Sequence, residues 1–337
     1  MAPASSAAAP LDVVGVGNAI VDILAKADEA FLKRHDIPKG GMILIDEARA
    51  RAIYDDMAPG VEISGGSAAN SIACIASLGG AGGFVGKLGA DAFGEVFRHD
   101  LRALGVAFDT PALVTGPGTG RCLINVTSDA QRSMATFLGA APLVSPADID
   151  AAQIESAAIT FFEGYLFEQP VARTAMVKAC AIAKAKGRRA ALTLSDSSCV
   201  DRQHAAFLEF IGPHVDILLA NEREAEALFG TSDLARIAEK ARALAPLTAV
   251  TRSEKGSLLI PRDGAAVEIA AHAPARLVDT TGAGDAYAAG LLFGLARGFD
   301  LARAGALGSL AAAEVISHFG ARPEDSLKGL ASRAGLI

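Results

Sequence analysis

Tryptophan is absent from this 337-residue chain and tyrosine occurs only three times, so its core must be built from Ala, Leu, Val and Ile. Excess positive charge is missing too. The formal net charge of −7 argues against a nucleic-acid groove, which needs a basic patch. No run of five or more like charges occurs, and no uninterrupted apolar stretch reaches bilayer length. Neither a polyionic arm nor a membrane-spanning helix is therefore expected. The four cysteines, Cys74, Cys122, Cys180 and Cys199, stand far apart without paired spacing. They read as buried free thiols in a reducing cytosol, ahead of a metal site or disulfides. The six histidines form no ligand motif. No Lys or Arg precedes Lys26, and residues 1–10 are small and neutral, the pattern of a disordered tail and not of a signal peptide. A Gly-x-x-x-x-Gly-Lys-Ser/Thr phosphate loop is lacking: Gly86-Lys87 precedes Leu88, and Ala81 stands where the first glycine belongs. Together these absences predict a cytoplasmic protein with no nucleic-acid partner and no membrane partner.

Hydrophobic residues make up 51% of the chain, enough at this length for one large domain or a large domain with a small one. One stretch stands out, Asp279-Thr280-Thr281-Gly282-Ala283-Gly284-Asp285-Ala286-Tyr287-Ala288-Ala289-Gly290. Ala288, Leu291, Leu292 and Leu295 follow at three- and four-residue steps, which predicts a helix starting at or just after Gly282. The first N–H groups of a helix lack internal partners and carry partial positive charge, and unshielded glycines let an anion approach them. Asp285, a carboxylate at an anion-attracting helix start, is either a base working beside a phosphate or a first-turn acid that complements the dipole.

Ser64 to Gly80 forms a second Gly-rich turn entering a helix, with Ser67 as expected N-cap and Gly79 as C-cap. Asn70 lies one turn inside, where its amide faces either the Gly65-Gly66 turn or a local backbone group. Leu11 to Gly17 reads as a buried strand, but the glycine spacing breaks after Gly17, which counts against a dinucleotide fingerprint. Residues 106–137 read as strands with turns, including one at Ser128-Asp129-Ala130, and with the segment near 40–46 they suggest a small separate sheet. From about residue 155 come strand-like runs (Ile159–Phe162, Ala190–Leu194, Val215–Ala220, Leu247–Thr251, Leu258–Ile260), with helical runs between the first four. That alternation implies a largely parallel sheet covered on both faces, with ligands beyond the carboxyl ends of its strands.

The Gly65-to-Gly80 block resembles the first signature of the ribokinase-like (PfkB) kinases, and the Asp279-to-Gly290 block is similar to their second signature almost letter for letter. The resemblance covers essentially residues 11–325. It implies a three-layer αβα ribokinase-like fold with a mainly parallel central sheet and a small β-sheet lid. Residues 11–337 would form one kinase domain, with the lid from about 19–58 and 106–137. It also implies transfer of a phosphoryl group from ATP, with Mg2+, to a hydroxymethyl group of a nucleoside or sugar. Asp285 would be the base, Gly282, Ala283 and Gly284 the anion hole, and Arg132 the arginine closing over the phosphate. Asn221 and Glu224 match an Asn-x-x-Glu pattern, with Glu224 acting on magnesium through water; a capping role for Asn221 is equally open. Thr251, Ser253 and Gly256 sit where the family has a Thr-x-Gly-x-x-Gly nucleotide loop, Ser253 replacing a glycine. Asp279 and Thr281 resemble the monovalent-cation loop of some members, which leaves a need for potassium open.

Within the family, Gly17-Asn18-Ala19-Ile20-Val21-Asp22-Ile23 is similar to the opening of nucleoside kinases of the adenosine kinase type. There Asp22 would accept both ribose hydroxyls, as a carboxylate suits a vicinal diol, with Asn18, Gly65, Gly66 and Asn70 around it. Tyr165 aligns with an aromatic that stacks on the base, although an aromatic after a strand is commonly core. A sugar kinase would also want Asp22, Gly66 and Asn70. A non-catalytic nucleotide binder or dinucleotide enzyme is the remaining alternative, and the chain is expected as a monomer or as a homodimer through the lid.

Overall fold

The computed structural model describes residues 10–129 and 131–337. The expected tail at residues 1–9 and Ala130 of the expected turn lie outside the described residues. Leu11–Val16 (β1) shows why the main sheet is central: all but its first residue are buried, and alternate side chains leave on opposite faces. Val13 joins one apolar core, whereas Val14 and Val16 join another. The chain then forms Ile20–Lys26 (β2), Met42–Leu44 (β3), Val61–Gly65 (β4), Gly82–Val85 (β5), Gly120–Val126 (β6) and Arg132–Phe137 (β7). Ala157–Glu163 (β8), Arg189–Thr193 (β9), Ile217–Asn221 (β10), Leu247–Thr251 (β11), Ser257–Pro261 (β12) and Val267–Ile269 (β13) complete the strands.

Eight of these make the large sheet, in the order β13-β12-β11-β10-β9-β8-β1-β5. The run from β11 to β5 is parallel, and β12 alone runs against it, pairing antiparallel with both β11 and β13. Helices cover both faces. β8 repeats the division seen in β1, with Ile159 and Phe161 in one core and Phe162 in the other. This is the α/β architecture expected from the alternating pattern.

The remaining strands form a second sheet, in the order β3-β7-β6-β2-β4. β2 alternates strictly: Val21, Ile23 and Ala25 are buried, whereas Asp22 and Leu24 are on the other face. That other face, with Ile63 of β4, Ile124 of β6 and Arg132 of β7, roofs a cavity of about 370 Å³. The four cysteines are free and buried, as expected. Among the described residues no helix is long and apolar enough to cross a membrane.

Candidate active site

Two glycine-rich helix starts meet at the site. The Ala283–Ala296 helix begins after Gly282, whose φ is 77°, and no side chain caps it. A Cβ on Gly282 would meet the Ala321 backbone at 2.6 Å, whereas one on Gly284 would meet open space. The uncapped N–H end with a bare glycine facing outward is suited to an anion. Asp285, on the first turn, accepts from the Ser67 hydroxyl at 2.6 Å and from Asn70 Nδ2 at 3.3 Å. Burial lifts its carboxyl to about 6, against the lowering effect of those two bonds.

The Ser67–Ser77 helix starts differently from expectation. Gly66, at φ 95°, is the N-cap, and Ser67 is already helical. The Ser67 hydroxyl is committed to Asp285, and a carboxylate that no motif had marked does the capping. Glu163, at the end of β8, accepts from Ala68 N at 2.9 Å, Asn18 N at 2.9 Å and Asn18 Nδ2 at 2.7 Å. Burial still carries Glu163 up to about 7 despite the three donors. The expected C-terminal glycine is one residue beyond the cap: Leu78 ends the helix and Gly79 follows at φ 81°.

Asp22 faces the cavity from β2. A Cβ on Gly65 would fall on the Asp22 carboxylate, and one on Gly66 on the Asn18 carbonyl, so the turn can pass here only as glycine. Burial raises Asp22 to about 7; Arg322 and Arg132 oppose the rise and Asp285 adds to it. Asn70 joins the two halves of the site, since its Nδ2 donates to Asp285 and its Oδ1 accepts from Arg322 Nε at 3.3 Å. Its amide therefore makes long-range contacts with Asp285 and Arg322. Asp22, Asn70, Arg132, Thr281, Phe319 and Arg322 all line the cavity. Arg132 is ion-paired to Asp279 at 2.7 Å, both side chains being nine-tenths buried. Asp279 also accepts from Thr281 N at 3.1 Å, Thr281 Oγ1 at 2.8 Å and Gly320 N at 3.2 Å. Tyr165 is 40% exposed, on a short turn after β8, and is not among the residues lining this cavity, although its hydroxyl is pushed up by burial and by the charges of Asp196, Glu163, Asp285 and Glu224.

The third group lies at the carboxyl ends of β10 and β11. Asn221 caps the Glu222–Phe229 helix in a reciprocal box: it receives Glu224 N at 2.9 Å and donates to Glu224 through Nδ2 at 2.6 Å and N at 3.0 Å. Burial lifts Glu224 to about 7, and Asp196 and Asp285 push it the same way. Thr251 ends β11 with its hydroxyl at 3.5 Å from the Ala220 carbonyl. Ser253 takes φ 52° and Gly256 φ 79° in the turn that follows. Sequence reasoning missed Glu163, Asp196 and Arg322. Asp196 caps a helix and Glu163 directly precedes Gly164-Tyr165, so an Asp-Ser-Ser cap signal and a nearby aromatic were there to find, whereas Arg322 lies in a loop with no such signal.

A β/α sheet with an open helix start and a buried carboxylate at its strand ends suits phosphoryl-transfer chemistry, and comparison with known proteins puts the chain among kinases. A model described as the pfkB family carbohydrate kinase matches residues 56–327, and the chain belongs to that family. It is 28% identical to the adenosine kinase of Saccharomyces cerevisiae over 333 residues, 93% of this chain and 96% of the yeast protein. The crystal structure of adenosine kinase from Sinorhizobium meliloti superposes with a TM-score of 0.89 at 46% identity, covering 97% of this chain and 100% of that one. A probable sugar kinase from Rhizobium etli superposes with a TM-score of 0.90 at 42% identity, covering 98% and 100%.

Kinases of this family use ATP with a divalent metal. Among the described residues no cluster of three or more His, Cys, Asp or Glu side chains could enclose an ion. The donor set nevertheless suits magnesium, which keeps several waters and takes one or two carboxylates plus substrate phosphates. Glu224 is raised first by burial and then by the charges of Asp196 and Asp285, against the lowering hydrogen bond from Asn221 N. Both of its oxygens are engaged by Asn221, so a contact through water fits.

Proposed function

We propose that this chain is a nucleoside kinase of the adenosine kinase type, transferring the γ-phosphoryl group of ATP to a 5′-hydroxymethyl group. The observation that carries phosphoryl transfer is Asp285, a carboxylate raised to about 6 beside the open backbone of Gly284 at a helix N-terminus, and the nucleoside part of the reading is supported by the likeness to adenosine kinases. A general base works best with a value near the operating pH. In this reading Asp285 takes the proton of the acceptor hydroxyl as it attacks. The N–H groups of Gly282, Ala283 and Gly284 receive the charge that gathers on the transferring oxygens. Magnesium, held through water near Glu224, would neutralise phosphate charge. Asp22 accepts the acceptor's vicinal hydroxyls and Asn18, Gly65, Gly66 and Asn70 shape the site around it.

Arg132 lies on the roof strand and is paired to Asp279. Movement of the small sheet over a bound acceptor would bring its guanidinium to the phosphate. That movement would release Asp279, which with Thr281 would then be open to a monovalent cation such as potassium. Asn221, Thr251, Ser253 and Gly256 would line the nucleotide side.

A sugar kinase is the second reading. Asp22, Gly66 and Asn70 serve a furanose as well as a nucleoside, and Tyr165 does not line the cavity under the small sheet. The deciding experiment is ADP release from Mg-ATP with adenosine, inosine, ribose and fructose at equal concentration, using Asp285→Asn as the blank. Turnover with adenosine and not with the sugars supports the nucleoside reading. Turnover with a sugar alone discards it and leaves the base and anion hole in place.

A further inference from the structure

Arg322 is used by nothing described so far, yet its placement is tightly determined. It lies in the connection between the Leu301–Val315 and Leu327–Arg333 helices. Glu314 Oε1 fixes that connection by accepting from Glu324 N at 3.0 Å and Asp325 N at 2.9 Å, with His318 Nε2 at 3.1 Å. Gly320 N fixes it a second time, on Asp279. The guanidinium donates through Nη1 to Ser64 Oγ at 2.7 Å and through Nε to Asn70 Oδ1 at 3.3 Å. A guanidinium is planar, so two anchored nitrogens fix the direction of the third. That third nitrogen, Nη2, is buried without a hydrogen-bond partner.

Asp22 lines the same cavity, and only burial and charge act on it, with no hydrogen-bond donor among the influences on its carboxyl. Arg322, with this unpartnered nitrogen, and Asp22, with no donor on its carboxyl, therefore line one cavity, and a bound hydroxyl would have to reach the buried Nη2. A buried donor or acceptor left unmade is costly. An anion would satisfy the arginine and be repelled by the carboxylate, and a cation the reverse. A neutral hydroxyl can satisfy both, since it donates one hydrogen and accepts through its lone pairs.

We propose that Arg322 is a specificity-determining residue of the acceptor pocket, its Nη2 donating to the same substrate hydroxyl that donates to Asp22. The clamp selects a neutral polyol and rejects an analogue that lacks that one hydroxyl. It rests on the reading of this cavity as the acceptor site.

The test is kcat/KM for adenosine, 2′-deoxyadenosine and 3′-deoxyadenosine in the native enzyme and in Arg322→Met. Deleting the clamped hydroxyl from the substrate is expected to cost the native enzyme on the order of 10–100-fold. Arg322→Met should lose a similar factor with adenosine but less than about threefold with the one deoxy analogue that lacks the clamped hydroxyl. Arg322→Lys, which keeps a donor, should recover part of the loss and carries the same comparison should Arg322→Met not fold. Equal losses with all three acceptors would show that Arg322 only holds its connection in place, and unchanged discrimination would remove it from the pocket; either overturns the clamp. If the native protein phosphorylates none of these nucleosides, the nucleoside reading fails by itself. The clamp is then read from the rise in unfolding midpoint with D-ribose against 2-deoxy-D-ribose and 3-deoxy-D-ribose. A deoxy sugar that stabilises the native protein less than ribose, with the difference gone in Arg322→Met, supports it; the same ranking in both proteins overturns it.

Discussion

The Ser67 hydroxyl donates to Asp285 Oδ1 at 2.6 Å across 218 residues of sequence, joining the starts of two glycine-rich helices. The bond favours the ionised carboxylate and opposes the rise that burial imposes. Ser67→Ala is therefore expected to raise Asp285 further, leaving the base protonated over more of the neutral range. Turnover should fall most below about pH 7 and approach the native rate near pH 9. Asp285→Asn should instead lose on the order of 10²–10⁴ in turnover at every pH while still binding ATP. A pH–rate profile of the two variants separates them, and native turnover in Asp285→Asn would remove it as the base.

In the proposed acceptor site Asp22 would tie acceptor binding to pH, and its burial ties stability to pH. Its carboxyl is raised from 3.8 to about 7, burial outweighing Arg322 and Arg132 while Asp285 reinforces the rise. Folding thus favours the protonated form. The stability it contributes is complete below about pH 4 and is lost as the pH climbs through about 7. Glu163, also near 7, acts in the same direction. The ligand-free protein should show an unfolding midpoint that declines from about pH 5 to about pH 8, and Asp22→Asn should flatten that decline. A midpoint rising over this interval would contradict the assignment. In kinetics, Asp22→Ala should raise the acceptor KM and leave ATP affinity unchanged, since it removes contacts made before the chemical step.

Glu163 ties β8 to the end of β1 and to the Ser67–Ser77 helix through three buried donors. Each donor left unpaired costs about 1–3 kcal/mol. Glu163→Ala should accordingly destabilise by roughly 3–6 kcal/mol in urea unfolding, the terms not being strictly additive. Glu163→Gln retains one acceptor oxygen and should lose less. An unchanged midpoint with lowered turnover would make Glu163 a participant in the chemistry and not a brace.

How much of this was legible follows from what leaves a pattern. Three- and four-residue apolar steps place the Ala283–Ala296 helix, and alternation with helical runs places β8 to β11, with β12 marked only by its own apolar run. β4 left no such trace: Val61–Gly65 is a sheet-edge segment with exposed Val61, a charged residue and a glycine. β2 was read only as part of a motif, because one buried face of three residues is too short a period to stand out. The type and place of Ser67 predict a cap, whereas its hydroxyl is committed to Asp285 and the helix start is held by Glu163, 95 residues away from Ala68. Pairings of that kind, like Arg322 with Asn70 over 252 residues, exist only once the chain has closed.

Ser253 stands where the family motif has glycine, and the backbone has kept the glycine conformation. Its φ of 52° lies in the left-handed region, where a residue with a Cβ is strained by about 1–3 kcal/mol. Ser253→Gly removes that strain but adds freedom to the unfolded chain, an opposing effect of about 0.5–1 kcal/mol. The variant should be more stable by about 1 kcal/mol, and its unfolding midpoint higher by roughly 1–3 °C. Since the turn already has the glycine shape, KM for ATP should stay within about threefold of native. Ser253→Val should move the other way, because a β-branched side chain tolerates this region least. Stability falling in Ser253→Gly would mean that the serine hydroxyl, and not the backbone angle, governs this turn.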